Sequence, residues 1–567
     1  MIEDRIEKLR DNFNKYKIDG YVVPKNDEYF SEYSEINRIK TISNFSGSAG
    51  IAVILKKKNY LFVDGRYTLQ AKIESGKNFT LVSYDKIINC NLFKNLTLGI
   101  DSKLLTSTQV KNYFSKYNKI KIIDNNLIDI IKISSLKRNK PFYSLSNKII
   151  GRSHFSKLTQ IASYLKKKKA DYIFISAPEN IAWILNIRGH DNPNSPVPNC
   201  RLIISKTKKF YLIADDYKTK ILIKDKKINP IQVIHPKNFQ SLILNLKDKK
   251  FIIDKKSCSL FYEQLIKSKF KIIDDEDPTY LLKAIKNKKE IDHMIKSHIL
   301  DGAALTKFLY WIKNINKKKI SEVDAQNKLE KFRKNNKEYL FPSFQTIAGA
   351  GPNGAIVHYR AKKGSCRIIN KSDIFLCDSG GQYKFGTTDV TRTICFTKPN
   401  SNIKNIFTKV LKGHIAVANT NLNKINTGKK IDIRARKFLK MSGLDYAHGT
   451  GHGVGFFLNV HEGPQSISKL NKVKILEGMI LSNEPGYYKE KNFGIRIENL
   501  VYVKKENNKL CFKNLTLAPI DKDLINFRLL SKKEVNYIFS YHIDVYYKIS
   551  KYLTLKEKKW LASHFSI

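Results

Sequence analysis

Four segments place acidic residues and histidines in settings that surface solvation does not explain. Asp373-Ile-Phe-Leu-Cys-Asp-Ser-Gly-Gly381 reads as an apolar strand ending in Asp378. Thr387-Thr-Asp-Val-Thr-Arg-Thr-Ile-Cys-Phe396 begins a return strand near Asp389. A turn around Tyr383–Gly386 makes the two an antiparallel pair, and their separation of 11, being odd, sends both carboxylates to one face. Facing residues in such a pair have Cβ atoms about 4.5–5.5 Å apart, near enough to hold two metal ions about 3.5–4 Å apart. The third segment, Ala447–Pro464, gathers His448, His452 and His461 among closely spaced glycines, where backbone can bend sharply or approach a ligand. The fourth carries Glu484 in Asn483-Glu-Pro-Gly-Tyr-Tyr488, then Arg496 and Glu498, which a period-2 strand points to one face.

Taken singly, Asp378, Asp389, Glu484 or Glu498 is the kind of residue that caps a helix, closes a turn or forms an ion pair. His448 can be satisfied by the backbone of its own loop. Together, four carboxylates and a histidine on apolar strands are expensive to bury unless metal or partners compensate them. Other chemistries fail on spacing. The histidines do not form His-Glu-x-x-His, and the loop Gly349–Tyr359, which carries His358, lacks the Gly-Lys-Ser/Thr ending of a phosphate loop. Cys377 and Cys395 flank the acidic pair, but nothing there activates a thiol, so they read as packing.

The elements that must position these groups lie in a long chain. Its 567 residues suggest about three or four domains. An internal repeat joins Asp19–Pro24, Ile51–Leu55 and Tyr60–Asp64 to Asp171–Ile175, Leu202–Ser205 and Phe210–Asp215, predicting two similar α/β domains in tandem. Lys-rich stretches around 137–148 and 284–290 are the expected junctions. From Glu290 to Trp311 apolar residues recur at helical spacing, and Ser321 is suited to cap a second helix, Glu322–Phe332. A tail from about 519 to 567 carries amphipathic helical patterns.

Composition narrows the class. At 42% hydrophobic and 11% aromatic the chain can build large cores. No apolar run approaches the roughly 20 residues that span a bilayer, and the first residues contain no apolar signal stretch, so a soluble, cytoplasmic protein is expected. Seven scattered cysteines contain no Cys-x-x-Cys pair and are expected as free thiols. The net charge of +52 invites a nucleic-acid reading, but only 16 of the 103 basic residues are Arg, the usual source of bidentate phosphate contacts. Residues 341–500 carry 24 basic and 10 acidic residues, the same charge density as the rest, so no basic face is singled out. Abundant Lys, Ile and Asn fit an AT-rich coding bias, and no nucleic-acid partner is expected.

The ordered set Asp378, Asp389, His452, Glu484, Glu498 resembles the dinuclear centre of the pita-bread metallopeptidases. The phrases Gly351-Pro-Asn-Gly-Ala-Ile-Val-His-Tyr359, His448-Gly-Thr-Gly-His-Gly-Val-Gly455, Val460-His-Glu-Gly-Pro464 and Asn483-Glu-Pro-Gly-Tyr-Tyr488 are most similar to its Xaa-Pro aminopeptidase (aminopeptidase P) branch. Asp64-Gly-Arg-Tyr-Thr-Leu-Gln70 matches that branch's first-domain motif. The resemblance implies an α/β (α+β) chain of two creatinase-like α/β domains at 1–145 and 146–287. A pita-bread catalytic domain at 288–510 and a C-terminal extension at 511–567, as in the long cytosolic form, would follow.

It also implies roles. Asp389 and Glu498 would bridge two metals, Asp378 would complete one coordination sphere, and His452 and Glu484 the other. An oxygen-rich set with one imidazole suits Mn²⁺ better than structural zinc. Two cations lower the pKa of water held between them, giving a hydroxide that attacks an amide carbonyl. Glu484 would assist proton transfer, while His358 and His461 would contact the scissile carbonyl, its oxyanion and the leaving proline. His448 and Arg496 would support the site, Arg496 offsetting carboxylate charge. The implied activity removes the first residue of peptides whose second residue is proline, by a homodimer with no membrane partner. A prolidase restricted to dipeptides is the alternative on the same fold, and a basic nucleic-acid-binding protein the alternative outside it.

Overall fold

A computed structural model describes residues 1–131, 140–314 and 319–565. The chain divides into two compact units, Met1–Tyr280 and Leu281–Ile567. The expected junction at 137–148 lies partly outside the described residues.

The first unit contains the repeat. Each half builds a six-stranded mixed sheet with the same connectivity. In the first, Gly20–Pro24 pairs antiparallel with Ile51–Leu55 on one side and parallel with Thr97–Ile100 on the other. In the second, Tyr172–Ile175 pairs antiparallel with Arg201–Ser205 and parallel with Lys250–Ile253. Both central strands are buried throughout, so their runs are apolar rather than alternating. Pleating still sorts the side chains: Tyr21 and Val23 face the core under helix Ile2–Lys15, whereas Val22 joins the core on the opposite face. That helix contributes Ile6, Leu9 and Phe13 from one stripe. Within this unit Arg201 is sandwiched between the rings of Tyr29 and Tyr262, 4.3 and 4.1 Å from their centroids, which pins the two halves together.

The second unit opens with helix Lys288–Lys313, capped by Asn287, and helix Glu322–Lys334, capped by Ser321. These cover a three-stranded sheet in which Ile374–Ser379 lies between Ile347–Ala350 and Val390–Cys395. A five-stranded sheet follows, in the order Glu462–Ile467, Gly451–Gly453, Ile480–Asn483, Asn499–Glu506, Lys509–Asn514. The last strand spans position 510, where the catalytic part was expected to give way to the extension.

Helices Lys532–Ile549 and Leu555–Ala562 close the chain against these sheets. Their attachment runs through the fully buried Arg392. Its guanidinium donates to the carbonyl oxygens of Pro519 (3.0 Å), Ala518 (2.8 Å) and Glu498 (2.6 Å) and to the Tyr541 hydroxyl (2.9 Å). All seven cysteines are free, with Cys377 and Cys395 buried in the packing as expected. Among the described residues no helix is long and apolar enough to cross a membrane.

Candidate metal centre

The hairpin that carries Asp378 and Asp389 differs in register from the facing pair that their spacing suggested. Asp378 lies opposite Thr391, and the pairing continues outward through Gln382–Thr387 and Tyr383–Gly386. The loop is therefore Lys384-Phe385, one residue later than the midpoint of the two aspartates. Asp389 stands diagonal to Asp378, two residues from the facing position, and so still on the same face.

Asp389, His452 and Glu498 offer ligand atoms that lie within 4.8 Å of one another. His452 Nε2 is 3.4 Å from Asp389 Oδ2 and 3.5 Å from Glu484 Oε1. The other ring nitrogen, Nδ1, lies 2.9 Å from the Gly453 carbonyl oxygen, which fixes Nε2 as the nitrogen aimed at the carboxylates. Backbone contacts hold the segment: His452 N–H donates to Ser482 Oγ (2.9 Å), Ser482 Oγ to Glu484 Oε1 (3.0 Å), and Glu484 N–H to the Thr450 carbonyl (2.8 Å).

Arg496 and Glu498 do not share one regular strand. Arg496 ends Phe493–Arg496, while Glu498 falls in the break before Asn499–Glu506, its N–H donating to the Thr391 carbonyl. Thr391 nevertheless reunites them. Its hydroxyl accepts from Arg496 Nε at 3.0 Å and donates to Glu498 Oε2 at 2.7 Å. Spacing pointed to Asp389 and passed over Thr391, although the period-2 rule puts the two on one face. Tyr488 was also overlooked as a participant. Its hydroxyl lies 2.8 Å from His448 Nε2 and accepts from Arg496 Nη1 at 2.6 Å.

Electrostatics follow from burying so many acids together. Burial lifts Asp378 to about 7, with Asp389 adding to the rise and Arg496 opposing it. Glu498 is driven well above the carboxylate range by burial, then by Asp389, Glu484 and Asp378. Glu484 goes the other way: burial opposes its charge, but His452, His448 and Arg496 outweigh it. For His452 burial again disfavours charge, yet the Asp389 hydrogen bond and Glu484 raise it to about 9. His448 drops to about 4, chiefly through burial and partly through Arg496, and is neutral at physiological pH.

These residues fit a pair of divalent cations. The donors are hard oxygens with one oriented imidazole, and Asp378 Oδ1 is buried with no hydrogen-bond partner among the described residues. An acceptor left in that state costs about 1–3 kcal/mol, which a cation would relieve.

The remaining expected residues surround this cluster. The ring of His461 meets that of His452 edge to face, with centroids 4.4 Å apart. His358 lies on the segment Gly351–Tyr359, which touches the strand leading to Arg496 through two glycines. A side chain at Gly494 would collide with the Gly354 carbonyl oxygen. Outside the spacing argument altogether stood Asp432 and Arg436, an i, i+4 pair on helix Gly428–Lys440. Arg436 donates to the carbonyl oxygens of Tyr446 (2.8 Å) and His448 (2.6 Å), and Asp432 accepts from Thr450 Oγ1 (2.6 Å), so the pair fixes the histidine loop.

Comparisons with known proteins agree along the whole chain. Residues 292–505 match metallopeptidase family M24, and residues 508–566 the C-terminal region of peptidase M24. Residues 5–129 and 134–290 match creatinase/prolidase N-terminal domains. A probable Xaa-Pro aminopeptidase P of Laccaria bicolor is 37% identical over 99% of this chain and 93% of its own. Xaa-Pro aminopeptidase 1 of Dictyostelium discoideum is 36% identical over 97% of this chain and 93% of its own. Among solved structures, the X-prolyl aminopeptidase of Caenorhabditis elegans is described as a cytosolic enzyme with a di-nuclear active site. It superposes with a TM-score of 0.92 at 28% identity, covering 100% of this chain and 99% of that one. A prolidase from Pyrococcus horikoshii covers 64% of this chain, with a TM-score of 0.53 at 25% identity.

Proposed function

The chain belongs to metallopeptidase family M24, and from that premise we propose that it removes the N-terminal residue of peptides whose second residue is proline. It is a metal-dependent aminopeptidase whose relatives along the full length include Xaa-Pro aminopeptidases. The observation that carries the reading is the cluster of buried Asp378, Asp389 and Glu498 with half-buried His452 and Glu484, one carboxylate oxygen lacking a partner among the described residues.

In the proposed mechanism these five residues hold two divalent cations, Mn²⁺ being the best match to their oxygen-rich donor set. Bound there, such cations supply Lewis-acid polarisation of a carbonyl and acidification of water. The acidic cluster receives the free α-amino group of the peptide, so cleavage falls after the first residue. Glu484, ionised beneath two histidines and Arg496, accepts a proton during attack and returns it to the leaving nitrogen. His461, packed on His452, and His358, on its own segment, bind the scissile carbonyl and its oxyanion and steady the leaving proline. His448 is neutral and hydrogen-bonds Tyr488, which with Arg496 keeps the carboxylates oriented.

Prolidase is the competing reading, but the prolidase neighbour covers about two thirds of this chain, whereas the X-prolyl aminopeptidase neighbour covers all of it. The division at 1–145, 146–287, 288–510 and 511–567 belongs to this proposal, as do a cytoplasmic location and a homodimer. The deciding assay supplies Mn²⁺ with Xaa-Pro-Yaa tripeptides, Xaa-Pro dipeptides and Xaa-Ala controls. Release of the first residue from the tripeptides supports the aminopeptidase. Cleavage of dipeptides alone would make the protein a prolidase.

A further inference from the structure

Glu322 is completely buried at the start of helix Glu322–Lys334, and its carboxylate faces the loop that carries His358. It accepts hydrogen bonds from Ala350 N–H (2.8 Å), Arg367 N–H (2.9 Å), the Tyr359 hydroxyl (2.7 Å) and Asn353 Nδ2 (3.0 Å to each oxygen). Asn353 Nδ2 also reaches the Tyr359 hydroxyl at 2.9 Å, and the Glu322 N–H donates to the Arg367 carbonyl.

The spacing of these partners gives the contact its meaning. Ala350 ends the strand before the loop, Arg367 lies where the loop returns, and Asn353 and Tyr359 bracket the middle. One carboxylate therefore ties down both ends and the centre of an excursion whose proposed reacting residue, His358, is the immediate neighbour of Tyr359. On the other side Gly354 presses against Gly494, so the loop is gripped between a helix and the strand bearing Arg496.

An ionised carboxylate makes shorter and stronger hydrogen bonds than an amide in the same place, and burying it is costly unless those bonds are all made. An apolar residue would suffice to pack a helix on a sheet. A charge spent on four donors of a single loop is suited to fixing that loop's conformation. We propose that Glu322 is a positioning residue for peptide hydrolysis: it holds the 350–367 loop so that His358 meets the scissile carbonyl. The inference rests on the role given to His358 above.

The test compares wild type with Glu322→Ala, Glu322→Gln, Tyr359→Phe, His358→Ala and the double variant Glu322→Ala/His358→Ala. Full-length proteins loaded with Mn²⁺ are assayed on an Xaa-Pro-Yaa tripeptide, with metal content measured in parallel. Glu322→Ala should bind two metals per chain and lose about ten- to a hundredfold in kcat/KM, as a small misplacement of a reacting group does. Glu322→Gln and Tyr359→Phe should lose less. On the His358→Ala background, Glu322→Ala should change kcat/KM less than about twofold, because its effect has already been removed.

Full additivity of the two losses, loss of metal from Glu322→Ala, or unchanged activity would overturn the proposal. If Glu322→Ala does not fold, Glu322→Gln and Tyr359→Phe carry the same comparison in the His358→Ala background. His358→Ala as active as wild type would also overturn it, by removing the role of His358 rather than that of Glu322.

Discussion

Arg496 Nη2 lies 2.6 Å from Asp378 Oδ2, so a guanidinium already holds one oxygen of a carboxylate whose other oxygen has no partner among the described residues. The same side chain reaches Thr391 through Nε and Tyr488 through Nη1. This three-way fork needs a planar group with fixed donor directions, which lysine lacks. Arg496→Lys should therefore weaken metal binding by about 10–100-fold, as loss of an outer-shell contact to a ligand does, despite keeping the charge. Competition with a chelator measures it, and wild-type affinity in the lysine variant would refute the positional role.

Asp389 shares with His452 and Glu498 a group of donor atoms within 4.8 Å of one another. Asp389→Asn keeps the size but halves the acceptor capacity and removes the charge. The variant should purify folded, bind less than one metal per chain and show no metal-stimulated cleavage. Elemental analysis and a tripeptide assay check both halves of that statement.

The metal-free centre should make stability depend on pH. Asp378, Glu498 and His452 all hold their protons more tightly folded than unfolded. Their contribution is complete below the unfolded pKa values, about 4 for the carboxyls and about 6.5 for the imidazole. It is lost as pH rises through the folded values, about 7 for Asp378 and about 9 for His452. Glu484 has the opposite sign, but its window lies below about pH 4.5. Calorimetry in chelator should show Tm falling from pH 5 to 9.5, and two equivalents of Mn²⁺ should flatten the curve. A metal-free Tm that rises over this range would contradict the assignment.

Glu462, the residue after His461, is buried against Lys286 and lies 3.6 Å from Lys283. Both lysines are almost fully enclosed, and burial draws Lys286 below the usual lysine range. Glu462→Gln would strand their charge, and breaking such a pair costs about 3–5 kcal/mol. Urea denaturation should register the loss, and Glu462→Asp should recover part of it.

Much of this centre was legible in the sequence because its ligands sit in short, glycine-marked phrases with strand periodicity. The register of the Asp378 hairpin was not. Gly386 closes the expected turn, and a side chain there would strike Ser297 on helix Lys288–Lys313. The turn falls within Tyr383–Gly386 as expected and uses Phe385, whose φ of 73° an aromatic residue seldom adopts. Because that turn is centred one residue past the midpoint of the two aspartates, the partner of Asp378 is Thr391 rather than Asp389. Glu322, Arg436 and Lys286 were equally hidden, since nothing near them in sequence announces the distant loops they hold. The repeated sheets, by contrast, were evident because both copies keep the same apolar strands at nearly constant spacing.

The attachment of Arg392 changes what the last fifty residues are. Four of its hydrogen bonds end on Ala518, Pro519, Tyr541 and the carbonyl of Glu498. Asp521 adds a bond from the Cys395 N–H and an ion pair with Lys313. The terminal helices are thus a keystone rather than an annex: the arch they close has a proposed metal ligand as one of its stones. A polypeptide ending before Pro519 would take the Pro519 carbonyl and the Tyr541 hydroxyl from a guanidinium in the interior, and the damage would surface first at Glu498, far from the cut in sequence and one carbonyl away in space.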